Sequence, residues 1–518
     1  MFEKPSIRVQ LDWLTVGLYS FLVLVGWATV FSSVYDVGGE STFQFQSFGE
    51  AMQSVYVKQI VWIALAAILA WVVLSVDAYF IAQTSYLTYG IMIFLLIMVL
   101  IVGKEVKGAK AWFDLGVVQL QPAEFAKFAT ALAIARFLGN DQVKLMRPFN
   151  LGVVVLLLIV PMYLIILENE TGSMLVFLAF TIALYREGLP HLIMIIGLSA
   201  VVLLIGTLLS LDNIWVLIRQ LVYFWILFAV IMSLNGYLKL RPDYRPPAFV
   251  PALEVGVLLL GGILFWYFLS DAVDPVSSEG GSYKVPPFFK IEDFQAAFQL
   301  LMLPLVVLLL VAIGLTAAYK KTYSRFIWVF FFAGLSIGTV VGLDFFVKGI
   351  LKPHQQTRLQ VLINPDADTQ GAGYHVAQSK IAIGSGGWTG KGYLDGRFTK
   401  LRYVPDRHTD FIFCTFAEEW GWIGSTFLLT VFGALLWRLI IVAERQRSRF
   451  SRVYGYCVFS IFLFHFLVNI GMTIGVMPVI GIPLPFFSYG GSSLFSFTIL
   501  LFILLKLDIF RTQRLLNG

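Results

Sequence analysis

Long apolar runs separated by short polar loops make up most of the chain. A helix needs about 20 consecutive apolar residues to cross the hydrocarbon core of a bilayer, and fourteen runs come close to that length. The pattern predicts an all-α, polytopic integral membrane protein. The predicted spans lie near residues 13–35, 57–77, 79–102, 123–138, 148–167, 173–186, 189–209, 212–237, 250–270, 297–319, 324–346, 409–439, 453–475 and 490–508. The sixth run is short, which is typical of a tilted or partly re-entrant segment.

The charges of the polar loops give the chain an orientation. The first run is too long for the core of a signal peptide, so it is counted as a retained span. The number of spans is then even, which puts both termini on one side of the membrane. Loops on the terminal side carry most of the Lys and Arg, whereas acidic loops such as 36–50 and 271–293 lie opposite. The positive-inside rule then predicts that both termini are cytoplasmic.

Two loops on the predicted outer side break this rule because they are basic. One follows the third span, and the other is the long segment 346–408. Long loops escape the positive-inside bias, so simple tolerance is one explanation. The other is that both loops converge on an anionic head group, with pyrophosphate as the natural candidate. The candidate contacts are Lys107, Lys110, Lys352 and Arg358.

Composition agrees with a membrane protein and excludes several other classes. Hydrophobic residues make up 58% of the chain and charged residues only 13%, against roughly 25% charged in soluble proteins. The two cysteines, Cys414 and Cys457, lie in apolar runs and form neither a disulfide framework nor a CxxC metal motif. The net charge of +6 follows the loop topology, so no nucleic-acid partner is predicted.

The long outer segment has the features of a folded loop. Eight glycines between positions 371 and 396 predict tight turns and backbone amides that can cradle an anion. Residues 373–383 predict a short amphipathic helix lying on the membrane. The stretch GSGGWTGKG lacks the spacing of a P-loop, and no other nucleotide fingerprint occurs, so neither a nucleotide nor an organic cofactor is predicted.

The stretch LRYVPDRHTDFIFCTFAEEWG, residues 401–421, places a carboxylate where a polar loop enters an apolar span. Ionisable groups at membrane depth are costly and point to function. Asp410 is therefore the candidate catalytic residue, able to meet a lipid-linked substrate at the bilayer edge. The structural alternative is that Thr409 or Asp410 only caps the helix that follows.

Other polar residues have a structural and a functional interpretation. Glu124 and Lys127 are three apart on one helix face, which favours an internal ion pair over the lining of a substrate cavity. Glu418 fits a buried structural acid or a deeper part of the site. His408 is a candidate phosphate or sugar contact, and Trp112 can stack on a sugar or prenyl chain. Ser488 and Tyr489 offer hydroxyls that support the cavity.

Five sequence blocks resemble the SEDS family (shape, elongation, division and sporulation), whose branches include RodA and FtsW. The most specific are the HTDFIF motif and the SYGGSS motif that follows it. The blocks are KGAKAWFDLGVVQLQPAEFAKFA at 107–129, ENETGSMLVF at 168–177, the region 351–392, VPDRHTDFIFCTFAEEWG at 404–421 and NIGMTIGVMPVIGIPLPFFSYGGSSLF at 469–495. The elongation branch is favoured.

This resemblance implies a peptidoglycan glycosyltransferase of the bacterial inner membrane. Members polymerise lipid II at the outer face, release undecaprenyl pyrophosphate and work with a class B penicillin-binding protein. The family's essential aspartate matches Asp410. A divalent cation, Mg²⁺ or Mn²⁺, is compatible with this chemistry because it can bridge a pyrophosphate, although no metal ligands are identified. The alternatives are a flippase for lipid-linked precursors and a non-catalytic scaffold for a penicillin-binding protein.

The chain departs from the family pattern at several positions. Ala111 replaces an arginine, and Asp406 replaces a glutamate. In the second block, Glu168 and Glu170 stand where the family has glutamine and aspartate. Ten spans are usual, so about four are predicted to be inserted. The predicted organisation is an N-terminal bundle at 1–209, an inserted region at 210–345, a catalytic loop at 346–408 and a C-terminal bundle at 409–518.

Overall fold

The computed structural model describes residues 11–35, 54–189, 372–401 and 403–516, except positions 107, 115, 117 and 118. The predicted inserted region at 210–345 and the five predicted spans between 189 and 346 lie outside the described residues. The same holds for three of the candidate pyrophosphate contacts, Lys107, Lys352 and Arg358.

The described part of the chain is mainly helical, with one small sheet between two helices. The helices are α1 Trp13–Val34, α2 Val55–Ser75, α3 Ala78–Gln83, α4 Ser85–Val102, α5 Pro122–Leu138, α6 Pro148–Leu167, α7 Thr171–Val176, α8 Phe180–Arg186, α9 Ala372–Ser385, α10 Arg397–Lys400, α11 Ile412–Glu444, α12 Arg449–Thr473 and α13 Gly491–Leu516. A 3-10 turn, Phe177–Ala179, joins α7 to α8. The strands are β1 Lys104–Val106, β2 Ala109–Asp114 and β3 Gln119–Leu120.

Seven of the described helices are long and apolar enough to cross a membrane: α1, α2, α4, α6, α11, α12 and α13. Nine of the fourteen predicted spans fall on described helices, so the predicted polytopic helical fold is confirmed in this part of the chain. The predicted sixth span, 173–186, is the pair α7 and α8 broken by the 3-10 turn.

Helix α5 is the most deeply buried helix of the described bundle. It packs against α4, α6, α12 and α13, and its alanines, among them Ala126, Ala129 and Ala133, are at most 1% exposed. Small side chains let neighbouring helices approach closely, which is how membrane helices gain packing energy. The charged pair Glu124 and Lys127 lies on this same helix and is therefore buried with it.

The predicted span 79–102 is two helices, because α3 ends before Thr84 and α4 starts after it. The Thr84 and Ser85 hydroxyls donate to the carbonyls of Phe80 and Ile81, at 2.9 and 3.0 Å. Such local side-chain bonds satisfy backbone carbonyls and bend or interrupt helices. The hydrophobicity pattern does not predict this break, because the residues on both sides of it are apolar.

The small sheet lies in the first basic outer loop and was not predicted. Strand β2 pairs antiparallel with β1 on one side and with β3 on the other. Gly108 and Gly116 lie between the strands with φ of 85° and 84°, a conformation that glycine adopts without steric cost. Lys110 and Trp112 therefore lie on a paired strand.

Helix α11 is kinked at Gly421, which has φ 64° and ψ −162°. A Cβ at Gly421 or at Gly390 would collide with the backbone of the other segment. Four backbone hydrogen bonds join residues 387–392 of the outer loop to 418–423 of the helix. They are Lys391 N to Glu418 O, Gly392 N to Glu419 O, Trp422 N to Gly387 O and Ile423 N to Trp388 O, at 2.9 to 3.1 Å. The outer loop thus supplies backbone partners at the kink.

Candidate active site

Asp410 lies in a turn that leads directly into α11. Asp406 has φ 49°, and its carbonyl accepts the N–H groups of Thr409 and Phe411 at 3.0 and 3.2 Å. The N-cap residue of α11 is Phe411. Asp410 and Thr409 lie one and two residues before this assigned position, and the catalytic role of the Asp410 side chain stays a prediction.

Two buried polar side chains hold the backbone around Asp410. The Asn469 amide nitrogen, on α12, donates to the Asp410 carbonyl at 2.8 Å and to the Ile482 carbonyl at 2.7 Å. The Ser488 hydroxyl donates to the Thr409 carbonyl at 2.7 Å and accepts the Leu484 N–H at 2.9 Å. The turn is thereby joined to α12 and to the loop 474–490 that follows it.

The carboxylate of Asp410 is half-buried and lies beside a glycine. Gly481 has φ 79°, and a Cβ at this position would lie 3.4 Å from Asp410 Oδ2. Any larger residue would be strained in this conformation and would narrow the space next to the carboxylate. Gly481 therefore lets the backbone of the loop 474–490 approach the carboxylate with no side chain of its own in between.

His408 and Tyr489 lie together next to this turn. The Tyr489 N–H donates to the His408 carbonyl at 2.9 Å, and the two ring centroids are 5.7 Å apart. Burial raises the pKa of the Tyr489 phenol, so this hydroxyl stays protonated and can donate a hydrogen bond. Both side chains are half-buried, and a contact of either with substrate stays a prediction.

The SYGGSS motif connects the start of α13 to three other parts of the bundle. Besides the Ser488 contacts, the Ser492 hydroxyl accepts the Gln121 N–H at 3.2 Å and donates to the Gln119 carbonyl at 2.9 Å. Beyond the motif, the Ser496 hydroxyl donates to the Glu124 carbonyl at 2.6 Å. These are bonds to backbone groups of other segments, and the predicted support of a cavity by Ser488 and Tyr489 stays a prediction.

Glu124 and Lys127 form a buried ion pair. Both Glu124 oxygens lie 2.8 Å from Lys127 Nζ, and His465 Nε2 lies 3.1 Å from it. A lysine ammonium can only donate, so Nε2 accepts and the proton of a neutral imidazole lies on Nδ1. His465 Nδ1 then donates to the Pro483 carbonyl at 3.0 Å. The pair is thereby linked to the loop 474–490, while its substrate role stays a prediction.

Glu418 holds the outer loop onto α11. Its side chain is fully buried, and it accepts the N–H groups of Phe398 and Thr399 at 2.8 and 3.0 Å and the Thr399 hydroxyl at 2.7 Å. Lys391 Nζ lies 3.8 Å from the same carboxylate. These bonds use both oxygens on the start of α10, which is a structural role; substrate binding by Glu418 stays a prediction.

Lys110 and Trp112 are both half-buried on β2. The Lys110 ammonium donates to the Ile101 carbonyl at 3.0 Å, which uses one of its three N–H groups. Its backbone N–H donates to the Glu168 carbonyl at 3.0 Å, so the strand is attached to the C-terminal end of α6. Contact of Lys110 or Trp112 with substrate stays a prediction.

Glu168 is a notable acid that the sequence did not single out as a site residue. It is fully buried, and neither carboxyl oxygen has a hydrogen-bond partner among the described residues. Burial, and then the charge of Glu170, raise the pKa of Glu168 to about 8. At neutral pH this carboxyl is therefore mainly protonated. The available signal was that an acid stands here in place of the family's glutamine.

Sequence comparison and structure comparison both match this chain to proteins of one family. A family model described as a cell cycle protein, FtsW, RodA and SpoVE, matches residues 18–225 and 290–513. The unmatched residues 226–289 lie within the predicted inserted region.

Two curated relatives match over most of their length. The peptidoglycan glycosyltransferase RodA of Treponema pallidum is 30% identical over 466 residues, 89% of this chain and 91% of the relative. A probable peptidoglycan glycosyltransferase FtsW of Coxiella burnetii is 25% identical over 513 residues, 98% of each chain.

A solved structure shows the same fold. It is described as the structural coordination of polymerization and crosslinking by a peptidoglycan synthase complex. One of its chains aligns with a TM-score of 0.57 and 22% identity, covering 97% of this chain and 98% of that chain.

Proposed function

Since this chain belongs to the FtsW, RodA and SpoVE family of cell cycle proteins, we propose that it is a peptidoglycan glycosyltransferase. It polymerises lipid II into glycan strands and releases undecaprenyl pyrophosphate. The observation that carries the proposal is the placement of Asp410: a half-buried acid at the entrance to a membrane-spanning helix, with its backbone held by Asn469. The names of the full-length relatives support the same activity.

Asp410 acts as the general base. A sugar hydroxyl is a weak nucleophile and needs to lose its proton in the transition state. The proton of the acceptor's 4-hydroxyl passes to the Asp410 carboxylate, and the oxygen forms a bond to the anomeric carbon of the donor. The bond from that carbon to the diphosphate breaks, and its electron pair leaves with the diphosphate. A second carboxylate acting as an acid is not required, because the leaving group is already a stable anion.

Positive charge on the outer loops stabilises the departing diphosphate. Among the described residues Lys110 has two ammonium N–H groups beyond its bond to Ile101. His408, two residues before Asp410, is the second described candidate. Lys107, Lys352 and Arg358 complete the predicted set.

A divalent cation fits this site only as a companion of the substrate. Among the described residues no group of three or more His, Cys, Asp or Glu side chains could hold a metal ion. Asp410 is the described side chain that would hold such an ion beside the substrate, and the ion would supply charge neutralisation. The side chains of the described residues alone do not form a cage for Mg²⁺ or Mn²⁺.

The active site faces the outside of the bacterial inner membrane. Helix α11 has 33 residues, which corresponds to a length of roughly 50 Å at 1.5 Å per residue. Asp410 precedes the first turn of α11, whereas the far end of this helix lies among several arginines. Those arginines are Arg438, Arg445, Arg447, Arg449 and Arg452. The positive-inside rule puts this end, and both termini, in the cytoplasm.

The enzyme works with a class B penicillin-binding protein, which crosslinks the strands. The structural neighbour from a peptidoglycan synthase complex supports such a partner. We assign the pair to cell elongation, the role favoured by the sequence, and the relative named RodA supports this choice.

One assay tests the activity against the two alternatives. The purified chain, alone and with its partner, is supplied with lipid II and Mg²⁺, and glycan strands are resolved on gels. Wild type and Asp395→Asn are expected to polymerise, and Asp410→Asn is not. Asp395 is the matched control because it is an exposed outer-loop acid paired with Lys400.

Two results would contradict the proposal. Polymer formed at wild-type rate by Asp410→Asn would show that Asp410 is not the catalytic base. If that polymer is lost when the partner's own active site is altered, the chain is a scaffold. Head-group translocation in vesicles without any polymer would indicate a flippase.

A further inference from the structure

A charged cavity lies at the end of the bundle opposite Asp410. It has a volume of about 310 Å³ and lies where the start of α1 meets the last turns of α11 and the end of α13. Its charged lining residues are Asp12, Arg438, Arg445, Asp508 and Arg511. The proposed polymerisation chemistry uses none of them.

The arginine side chains of this cavity are partly exposed, whereas the two aspartates are buried beneath them. The side chains of the three arginines are 24 to 26% exposed, whereas those of the two aspartates are 2 and 3% exposed. Three guanidinium groups against two carboxylates leave one net positive charge. Because the acids are covered, a molecule entering the cavity meets the guanidinium groups first.

The two aspartates take only part of the donor capacity of the arginines. Arg438 uses Nε and Nη2 on Asp12, and Arg445 uses Nη2 on Asp12 and both Nε and Nη2 on Asp508. Arg511 Nε is buried and has no hydrogen-bond partner within the described residues, although it lies 3.4 Å from Asp508 Oδ1. Each guanidinium has five N–H groups, so several remain for a ligand.

We propose that this cavity binds the phosphate head group of an anionic phospholipid of the cytoplasmic leaflet. Guanidinium forks match phosphate oxygens in pairs, and basic pockets between cytoplasmic helix ends are typical sites for acidic lipids. The volume lies at the lower end of the range of about 300–1,000 Å³ for ligand pockets, which suits a small head group.

The surroundings of the cavity favour a lipid over a free phosphate. Trp13 and Leu14 line it and are 59% and 58% exposed. They belong to the first turn of a membrane-spanning helix, where a tryptophan is placed at the level of the head groups. A phosphate in the cavity would thus have its acyl chains beside exposed apolar side chains. The bound lipid joins the ends of α1, α11 and α13.

Native mass spectrometry of the full chain in detergent tests the proposal, with thermal unfolding as a second readout. The probes are dioleoyl phosphatidylglycerol, dioleoyl phosphatidylcholine, glycerol 3-phosphate and inorganic phosphate. Phosphatidylglycerol is expected to bind at least tenfold more tightly than phosphatidylcholine and to raise the melting temperature. Equal binding of the two lipids would overturn the proposal. The proposal would also be overturned if glycerol 3-phosphate or inorganic phosphate filled the cavity at the concentration at which the lipid binds.

Arg511→Gln is the test variant, because it leaves both arginines on Asp12 in place. The variant loses charge-assisted hydrogen bonds to the phosphate, so phosphatidylglycerol binding should weaken by tenfold or more. Arg447→Gln is the matched control, an exposed arginine two residues beyond Arg445, and should bind as wild type. If Arg511→Gln does not fold, Arg511→Lys keeps the charge without the fork and should weaken binding likewise.

Equal loss in the Arg447→Gln control would reduce the effect to general surface charge and refute a built site. The measurement does not depend on catalysis, so it can be repeated on Asp410→Asn. Failure of lipid binding and failure of the proposed polymerase activity are therefore separate results.

Discussion

Replacing Asn469 with leucine removes the link between α12 and the turn that carries Asp410. The side chain is fully buried, and its one nitrogen donates to two carbonyls, those of Asp410 and Ile482. Leucine has a similar size and no donor, so both carbonyls lose their partner. Each buried unsatisfied group costs about 1–3 kcal/mol, which gives a loss of about 2–6 kcal/mol if no water enters.

The chain can reduce this cost by moving the turn until water reaches the carbonyls. Such a movement displaces the Asp410 carboxylate, and a misplacement of about 1 Å can cost about 100-fold in rate. We therefore expect Asn469→Leu to lower kcat for lipid II polymerisation by about 100-fold with KM changed by less than threefold. Asn469→Gln keeps the amide and should recover part of the rate, whereas Asn469→Asp replaces the donor with an acceptor and should not.

The Asn469 acceptor oxygen is itself buried without a hydrogen-bond partner among the described residues. An amide that leaves half of its capacity unused is a poor choice for stability alone, which supports a positioning role. Thr473→Val is the control, since Thr473 lies one turn further along α12 and is fully buried. Among the described residues its hydroxyl bonds only to the local Ile470 carbonyl. It should keep kcat within about twofold. Wild-type kcat in Asn469→Leu, or an equal loss in Thr473→Val, would refute the reasoning.

Three further predictions concern stability, measured as melting temperature or as denaturant unfolding in detergent. Glu168→Gln should stabilise the chain more at pH 8 than at pH 5. The pKa of Glu168 is about 8 in the folded chain and has an ordinary value of 4.5, so wild-type stability falls as pH rises between these values. An equal gain at both pH values would contradict this. Gly421→Ala should lower the free energy of unfolding by more than about 3 kcal/mol, because the added Cβ meets the backbone of Gly390 and the residue has a positive φ. Wild-type stability of this variant would contradict the kink. Lys127→Met should cost about 3–5 kcal/mol by leaving Glu124 charged and unpaired, and adding Glu124→Gln should restore most of it, whereas an additive loss would contradict a coupled pair.

The apolar pattern predicted the membrane helices because a bilayer imposes one length and one polarity on every span. It could not predict the break at Thr84, where hydroxyls satisfy carbonyls inside a continuous apolar run. It also missed the small sheet, although the alternation in AKAWFD and the glycine before it were a usable signal. The kink at Gly421 depends on a partner segment about 30 residues away, which no local pattern contains.

The candidate site was predicted in part, for similar reasons. Asp410 could be predicted from the sequence because a carboxylate at the entrance of a membrane span is energetically costly and therefore points to function. Asn469 was not singled out, although a lone amide in an apolar helix is a recognisable signal. The structural bonds of Glu418 could not be assigned from sequence, because the groups that it accepts, at Phe398 and Thr399, lie on a separate loop helix. Whether the remaining candidates touch substrate stays a prediction.

The joint between the glycine-rich loop and the kinked helix has a practical consequence for labelling the protein. Residues 386–392 would attract an engineer looking for a place to insert an epitope or a fluorescent tag, since they are rich in glycine and lie in a predicted outer loop. Their amides and carbonyls complete the hydrogen bonding of α11 at Gly421, so an insertion there would open a membrane helix a few turns from Asp410. Asp395, whose carboxylate is 72% exposed, is the safer place for a reporter.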